Sequence, residues 1–271
     1  IGRDIVLGII KPIVMPELPD VEIFRKYAEN NALNQPIEKI TVEEKQIAET
    51  DADRLNRSLK RHQLIEAERL GKYLLFPTTA QNILVMHFGM TGWLEYQPEN
   101  KPDHSRAILT FSSGNELHFV NQRKLGRIWL VSNIDAFKRS KKIGEDALAI
   151  HREQFLELLS QKKGMIKSLL MNQSVIAGLG NIYSDEVLFQ AGILPKTLIS
   201  SLKDYQLDNL FHAMKTVLQR AIECNADSEN VPASFIIPHR KEGEQCPHCG
   251  GEIQKDKLSG RGFYYCPNCQ Q

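Results

Sequence analysis

The most constraining feature of this chain lies at its C-terminal end. Cys246-Pro-His-Cys249 and Cys266-Pro-Asn-Cys269 are two Cys-x-x-Cys pairs sixteen residues apart. Each pair places two thiolates at one tight turn, and two such turns close a tetrahedron around Zn²⁺. Gly250, Gly251 and Gly260 supply the bends of a two-hairpin ribbon, and Gly262-Phe263-Tyr264-Tyr265 reads as the strand entering the second pair. Four cysteine ligands leave no open coordination position, so one structural zinc is expected. Two disulfides are the alternative, and the spacing together with the lack of any secretion signal argues against them. Cys224 is left over and reads as a buried apolar residue. Intact thiolates imply a reducing compartment, hence the cytoplasm.

The rest of the chain is long enough for two ordinary domains, with 271 residues, 42% of them hydrophobic and 25% charged, which excludes wholesale disorder. No apolar run reaches the ~18 residues of a membrane span. The net charge of +1 singles out no partner, but its distribution does. Residues 123–167 hold eleven Lys/Arg against five acids, a basic footprint suited to a polyanion or, equally, a set of solvated helix faces. The first residues, Ile1 to Val14, lack a basic flank and a small-residue cleavage site, and read as an upstream extension or expression remnant.

From Pro19 the apolar residues Val21, Ile23, Phe24, Tyr27 and Ala28 predict a helix to about Asn31. Strands are expected at 37–43, 63–69, 72–76, 82–87, 93–96, 106–111, 116–120 and 127–131, with one helix at 51–61. So many strands in so short a stretch suggest an antiparallel sandwich or barrel. After residue 132 helices are expected at 151–160, 163–172, 174–177, 181–190, 197–199 and 203–223. The expected fold class is therefore α+β and multidomain. Its parts are an extension (1–15), an N-terminal helix plus β-sandwich (16–131), a linker (132–146), a helical module (147–240) and the zinc ribbon (241–271).

Four further segments fall into place around this outline. Met15-Pro-Glu-Leu-Pro-Asp-Val-Glu22 precedes the first helix. Gly71-Lys72-Tyr73-Leu74-Leu75 sits at a hairpin, and His87-Phe-Gly-Met-Thr-Gly92 follows a strand. Gln173-Ser-Val-Ile-Ala-Gly-Leu-Gly-Asn-Ile-Tyr-Ser-Asp-Glu186 leads into a helix. Together with the ribbon they resemble the formamidopyrimidine-DNA glycosylase / endonuclease VIII family of base-excision repair, closer to the formamidopyrimidine branch. The resemblance runs from about Met15 to Gln271. It implies a β-sandwich with an N-terminal helix, a helix–two-turns–helix module and a zinc ribbon, acting as a monomer on damaged double-stranded DNA with no membrane partner and no organic cofactor.

The resemblance also assigns roles. An N-terminal proline, here Pro16, attacks C1′ of the damaged nucleotide; a secondary amine displaces the base and leaves an iminium that promotes β- and δ-elimination. Glu17 is the general acid–base, and Lys72 contacts the backbone at the lesion or serves as a second amine. Asn181 and Arg261 grip flanking phosphates, with the Gly178-Leu-Gly180-Asn181 turn as a helix start that attracts phosphate. Met90, Arg123 and Leu125 fill the hole left by the flipped nucleotide. His87, Lys124 and Lys167 complete the expected DNA contacts. The segment Asn121-Gln-Arg-Lys-Leu-Gly126 departs from the family's usual Asp-Pro-Arg-Arg-Phe-Gly, putting Leu125 in place of the wedging Phe. The connector 225–243 is shorter than usual where a loop caps 8-oxoguanine, which implies a weaker hold on that base. A proline inside a chain has no free amine, so the chemistry requires Met15 to be the biological start and to be removed. If the extension stays, the expectation becomes a non-catalytic binder of lesions or abasic sites; a zinc-ribbon adaptor is a third, weaker reading.

Overall fold

Proline at 16 and 19, an acid at 20 and apolar residues at helical spacing nucleate the first element. In the computed structural model, which describes residues 15–271, this is α1 (Leu18–Asn31). Nearly all of the expected extension, residues 1–14, lies outside the described residues. The chain forms two compact units. One contains Pro16 and Asp20–Ser140; the other contains Glu17–Pro19 and Lys141–Gln271.

In the first unit α1 is followed by β1 (Ile37–Val42), α2 (Ala52–Leu59), β2 (Glu68–Leu70), β3 (Tyr73–Pro77), β4 (Ile83–His87), β5 (Gly92–Tyr96), β6 (Ser105–Phe111), β7 (Glu116–Asn121), β8 (Arg127–Val131) and α3 (Ile134–Lys141). The strands form two four-stranded antiparallel sheets, ordered β1-β6-β7-β5 and β2-β3-β4-β8. Alternation decides what each face does: Leu74 and Phe76, Leu84 and Met86, and Leu117 and Phe119 all enter one shared core. Val21, Phe24 and Ala28 of α1 and Leu55 and Leu59 of α2 close that core. Phe24 stacks at 4.6 Å on Phe88, just beyond β4. The sandwich is as expected; the strand anticipated at 63–69 is reduced to β2, with Gln63 and Leu64 making only single bridges. The stretch read as a linker holds α3, a polar helix carrying Lys138, Arg139 and Lys141 and anchored by Phe137 against Tyr73 and Trp129.

The second unit contains β9 (Glu145–Asp146), α4 (Arg152–Ser160), α5 (Ile166–Leu170), β10 (Ile176–Ala177), α6 (Asn181–Gln190), α7 (Asp204–Glu223), β11 (Gln254–Leu258) and β12 (Arg261–Tyr265). Along α7, Leu207, Leu210, Phe211, Met214, Val217, Leu218 and Ala221 form the buried stripe of an amphipathic helix. Three helix expectations change. The segment 163–172 is helical only over α5, and of 197–199 only Ile199 is helical, at the start of a 3₁₀ turn, Ile199–Ser201. The segment 174–177 is not helical, because Ile176 and Ala177 pair in parallel with Glu145 and Asp146. Cys224 caps α7 and is half-buried rather than buried. No described helix is long and apolar enough to cross a membrane.

Candidate active site

Glu17 is buried, and its surroundings explain the glycines that follow it in space. Gly178 has φ +117°, and a Cβ there would lie 2.4 Å from Leu18 Cδ1, so only glycine admits the segment 17–19. The Leu18 N–H donates to the Gly178 carbonyl at 3.0 Å. The N–H groups of Gly180, Ile182 and Tyr183 then donate to the Glu17 carboxylate at 2.5, 2.9 and 3.3 Å. These are donors that the first turn of α6 cannot satisfy within the helix, and the dipole there favours an anion. The turn expected to attract a phosphate is thus occupied by the chain's own carboxylate. Pro16 precedes Glu17 by one peptide bond in the chain.

The same helix turn serves the ribbon. Asn181 Nδ2 donates to the Gly262 carbonyl at 2.9 Å, and its Oδ1 is buried without a hydrogen-bond partner among the described residues. One turn later, Asp185 is fully buried at the meeting of four segments. Its Oδ1 receives Lys167 Nζ at 2.6 Å, and its Oδ2 receives Arg240 Nη2 at 2.7 Å and the Tyr264 N–H at 3.2 Å. Lys167, expected at the DNA, is 0% exposed. Its ammonium also donates to Ser184 Oγ at 2.7 Å and the Asn181 carbonyl at 3.3 Å. It cannot reach a phosphate, and the expectation is corrected: it is an internal counter-ion. Burial pushes its pKa down and Asp185 pulls it back up. Asp185 was missed from the sequence, although its i, i+4 spacing from Asn181 puts both on one helix face.

Arg261 is exposed at the head of β12, after a two-residue turn in which Ser259 and Gly260 both have positive φ (50° and 78°), as a tight hairpin needs. Behind it, the four cysteine sulfurs lie within 4.8 Å of one another. Cys246 and Cys269 Sγ are 3.7 Å apart and Cys249 and Cys266 Sγ 3.5 Å. A disulfide needs about 2.05 Å; tetrahedral Zn–S bonds of about 2.3 Å give an edge of about 3.8 Å. The donor set and spacing fit one structural zinc. His248, inside the first pair, stacks on Phe189 of α6 at 4.4 Å.

In the first unit, Lys72 is half-buried in the two-residue turn between β2 and β3, where Gly71 takes φ +56°. Arg69 steadies that turn by donating to Glu22 of α1 at 3.0 Å and to the Gly71 carbonyl at 3.2 Å, a role for Glu22 that its motif did not reveal. His87 lies beside it on β4. Burial, with Lys72 and Arg127 nearby, pushes its pKa down to about 4, so it brings no charge to a polyanion at neutral pH. Its Nδ1 accepts the Gly89 N–H at 3.2 Å, which leaves the proton on Nε2.

Met90 and Leu125 are 37% and 44% exposed, two of the five exposed large hydrophobics among the described residues. They come from neighbouring turns: a Cβ on Gly89 would lie 2.5 Å from the Leu125 carbonyl carbon. Arg123 is exposed, and its N–H donates to Thr91 Oγ1 at 3.1 Å. Lys124 Nζ lies 2.5 Å from Glu44 Oε2, so a phosphate there has to displace a carboxylate.

Comparison with known proteins agrees along the chain. Residues 15–128 match the formamidopyrimidine-DNA glycosylase N-terminal domain, 143–232 the H2TH domain of the same enzymes, and 243–271 the zinc finger found in FPG and IleRS. The formamidopyrimidine-DNA glycosylase of Pelotomaculum thermopropionicum is 35% identical over 95% of this chain and 99% of its own. That of Ureaplasma parvum is 32% identical over 94% and 100%. The Lactococcus lactis enzyme in complex with FAPY-dG-containing DNA superimposes with TM-score 0.86 at 31% identity, covering 94% of this chain and 100% of that one. Its complex with abasic-site DNA gives 0.84 at 31% identity, covering 94% and 99%. The chain belongs to the formamidopyrimidine-DNA glycosylase family of base-excision repair enzymes.

Proposed function

We infer that this chain, with Pro16 as its N-terminus, removes oxidised bases from duplex DNA and then cleaves the abasic strand. The observation that carries this reading is the Glu17 carboxylate seated on the first turn of α6, which fixes the residue next to Pro16. The Pro16 nitrogen attacks C1′, and the base departs with the electron pair of the glycosidic bond and a proton. Glu17 moves protons between the sugar ring oxygen and its surroundings. Loss of the amine proton and opening of the sugar leave an iminium, an electron sink for loss of the C2′ proton with expulsion of the 3′ phosphate, and then for loss of the C4′ proton with expulsion of the 5′ phosphate. Water finally frees the proline.

The remaining residues bind and deform. Lys72, Asn181 and Arg261 hold phosphates, His87 offers a neutral N–H, and Lys124 contacts the backbone by exchanging Glu44 for phosphate. Met90, Arg123 and Leu125 enter the opened stack. A bound zinc supplies cross-linking alone; the cysteines shape the hairpin that presents Arg261. The protein works as a monomer in the bacterial cytoplasm.

The substrate preference follows from the connector. Phe235 and Ile236 are buried, the Ile237 N–H donates to Glu186 at 2.9 Å, and Gln190 Nε2 donates to the Ser234 carbonyl at 3.0 Å. Fastened at 234–237, the connector has only short free stretches left with which to cap an extruded 8-oxoguanine. On single-lesion duplexes, the protein starting at Pro16 should excise formamidopyrimidines faster than 8-oxoguanine; fastest excision of 8-oxoguanine would contradict this preference. A second reading is carried by the sequence itself. In the 271-residue chain Pro16 is peptide-linked to Met15, and in that form the protein binds lesions without chemistry.

A further inference from the structure

We propose that Asn121 is the positioning residue that holds the Met90 and Leu125 turns together as one duplex probe. The idea rests on the reading of Met90 and Leu125 as stack-filling residues.

Asn121 ends β7 and is 0% exposed, yet every polar atom of its amide points at a turn rather than into the core. Nδ2 donates to the Phe88 carbonyl at 2.7 Å, at the start of the turn that carries Met90. Oδ1 accepts the Leu125 N–H at 3.0 Å and the Gly126 N–H at 3.3 Å, from the turn that carries Leu125. Its own N–H donates to the His104 carbonyl at 2.9 Å, and its carbonyl accepts Arg106 Nε at 3.0 Å, so the backbone beneath the amide is fixed too. Two glycines make room for it. A Cβ on Gly92 would lie 2.6 Å from Asn121 Nδ2, and one on Gly126 would lie 2.5 Å from the same atom. Asn121 is not their only neighbour: a Cβ on Gly92 would also lie 2.4 Å from the Phe88 carbonyl oxygen, and one on Gly126 2.6 Å from Phe119 Cζ.

An amide makes this set of bonds without taking up a proton, since one end donates and the other accepts twice; an ionised carboxylate has no donor. The aspartate of the family's usual pattern keeps the acceptor side and lacks the donor. In this chain the extra bond to Phe88 fastens the Met90 turn to the loop bearing the smaller wedge, Leu125. A leucine covers less of an opened base step than a phenylalanine, so its insertion depends more on being held in one place together with Met90.

The test uses the protein trimmed to Pro16 and a duplex carrying 2-aminopurine beside a lesion, whose fluorescence reports opening of the stack. Asn121→Asp keeps the volume and, when ionised, both acceptor bonds, and sets a carboxylate oxygen against the Phe88 carbonyl in place of the donor; stack opening is read from pH 6 to 9, since a protonated carboxyl would still donate. The substitution should slow stack opening and excision about tenfold, the effect of one buried carbonyl left without its partner. In a Met90→Ala background the same substitution should have little further effect, because Asn121 acts through that turn. Unchanged stack opening in Asn121→Asp, or fully additive losses in the double variant, would overturn the proposal. Thermal unfolding of each variant separates a displaced turn from a damaged sandwich. Stack opening needs no nucleophile, so absence of chemistry in the unsubstituted protein would strike the catalytic reading and leave this one testable.

Discussion

Glu17 holds three backbone amides and is also proposed to move protons, and substitution can separate the two duties. Glu17→Gln keeps one acceptor oxygen and loses the acid–base group. Excision should fall by about 100-fold or more, the usual range for a lost general acid–base. The cost in stability should be about 1–3 kcal/mol, because besides the lost charge at the helix N-terminus at least one backbone N–H loses its acceptor. Single-turnover excision and urea unfolding measure the two. A second carboxyl, Glu186, is fully buried, and desolvation raises its pKa to about 7, against Gln190, backbone N–H groups and Arg240, which all lower it. The folded state holds this proton more tightly than the unfolded chain. Its contribution to stability is therefore complete below pH 4.5 and is lost as pH rises through about 7, a change of about 3 kcal/mol. His87 has the opposite sign: its pKa falls from 6.5 to about 4, so its contribution is lost as pH falls through that window. The difference in unfolding free energy between the wild type and Glu186→Gln should therefore shrink from pH 5 to pH 8, whatever the absolute cost of the substitution. Equal differences at the two pH values would contradict the assignment. Lys167 shows what a sequence hides at this scale. A lysine in a basic stretch reads as a DNA contact, and only the fold reveals that Asp185, eighteen residues on, receives its ammonium in the interior.

At the scale of elements, α6 is the part on which the second unit turns. Its first turn receives Glu17, its next turn holds Asp185, and its later residue Phe189 stacks on the zinc knuckle. Asp185→Asn leaves Lys167 and Arg240 buried without their anion and should cost about 3–5 kcal/mol. Urea unfolding monitors it, and a change near zero would refute the buried network as drawn. Arg261→Ala, at the exposed hairpin, should leave stability unchanged, weaken duplex binding across sequences and lower the salt dependence of binding by about one ion. The elements legible in the sequence are those with local signals. The cysteine spacing announces the ribbon, alternating apolar residues announce the sandwich strands, and the long apolar stripe announces α7. The failures have non-local causes. Val175-Ile176-Ala177 is a short apolar run whose conformation is settled by parallel pairing with Glu145 and Asp146, some thirty residues earlier. The helix α3 is so polar that a single buried residue, Phe137, marks its inner face. Asn121 was noted as a departure in a motif, but its bonds to Phe88, Leu125 and Gly126 depend on the two turns meeting in space.

At the scale of the molecule, the proposed function sets two conditions, the zinc and the terminus. Removing zinc should release the hairpin that carries Arg261, abolish tight duplex binding and leave the β-sandwich folded. Metal analysis before and after chelation, with circular dichroism and a binding assay, checks this; full DNA affinity in the zinc-free protein would contradict it. The terminus is tested most directly by borohydride trapping on an abasic-site duplex. Two forms of the chain are compared, one beginning at Pro16 and one retaining Met15. The account predicts a covalent protein–DNA adduct, mapped to Pro16, from the first form and none from the second. An adduct of equal yield from both forms, or none from the form with a verified Pro16 terminus, would contradict it.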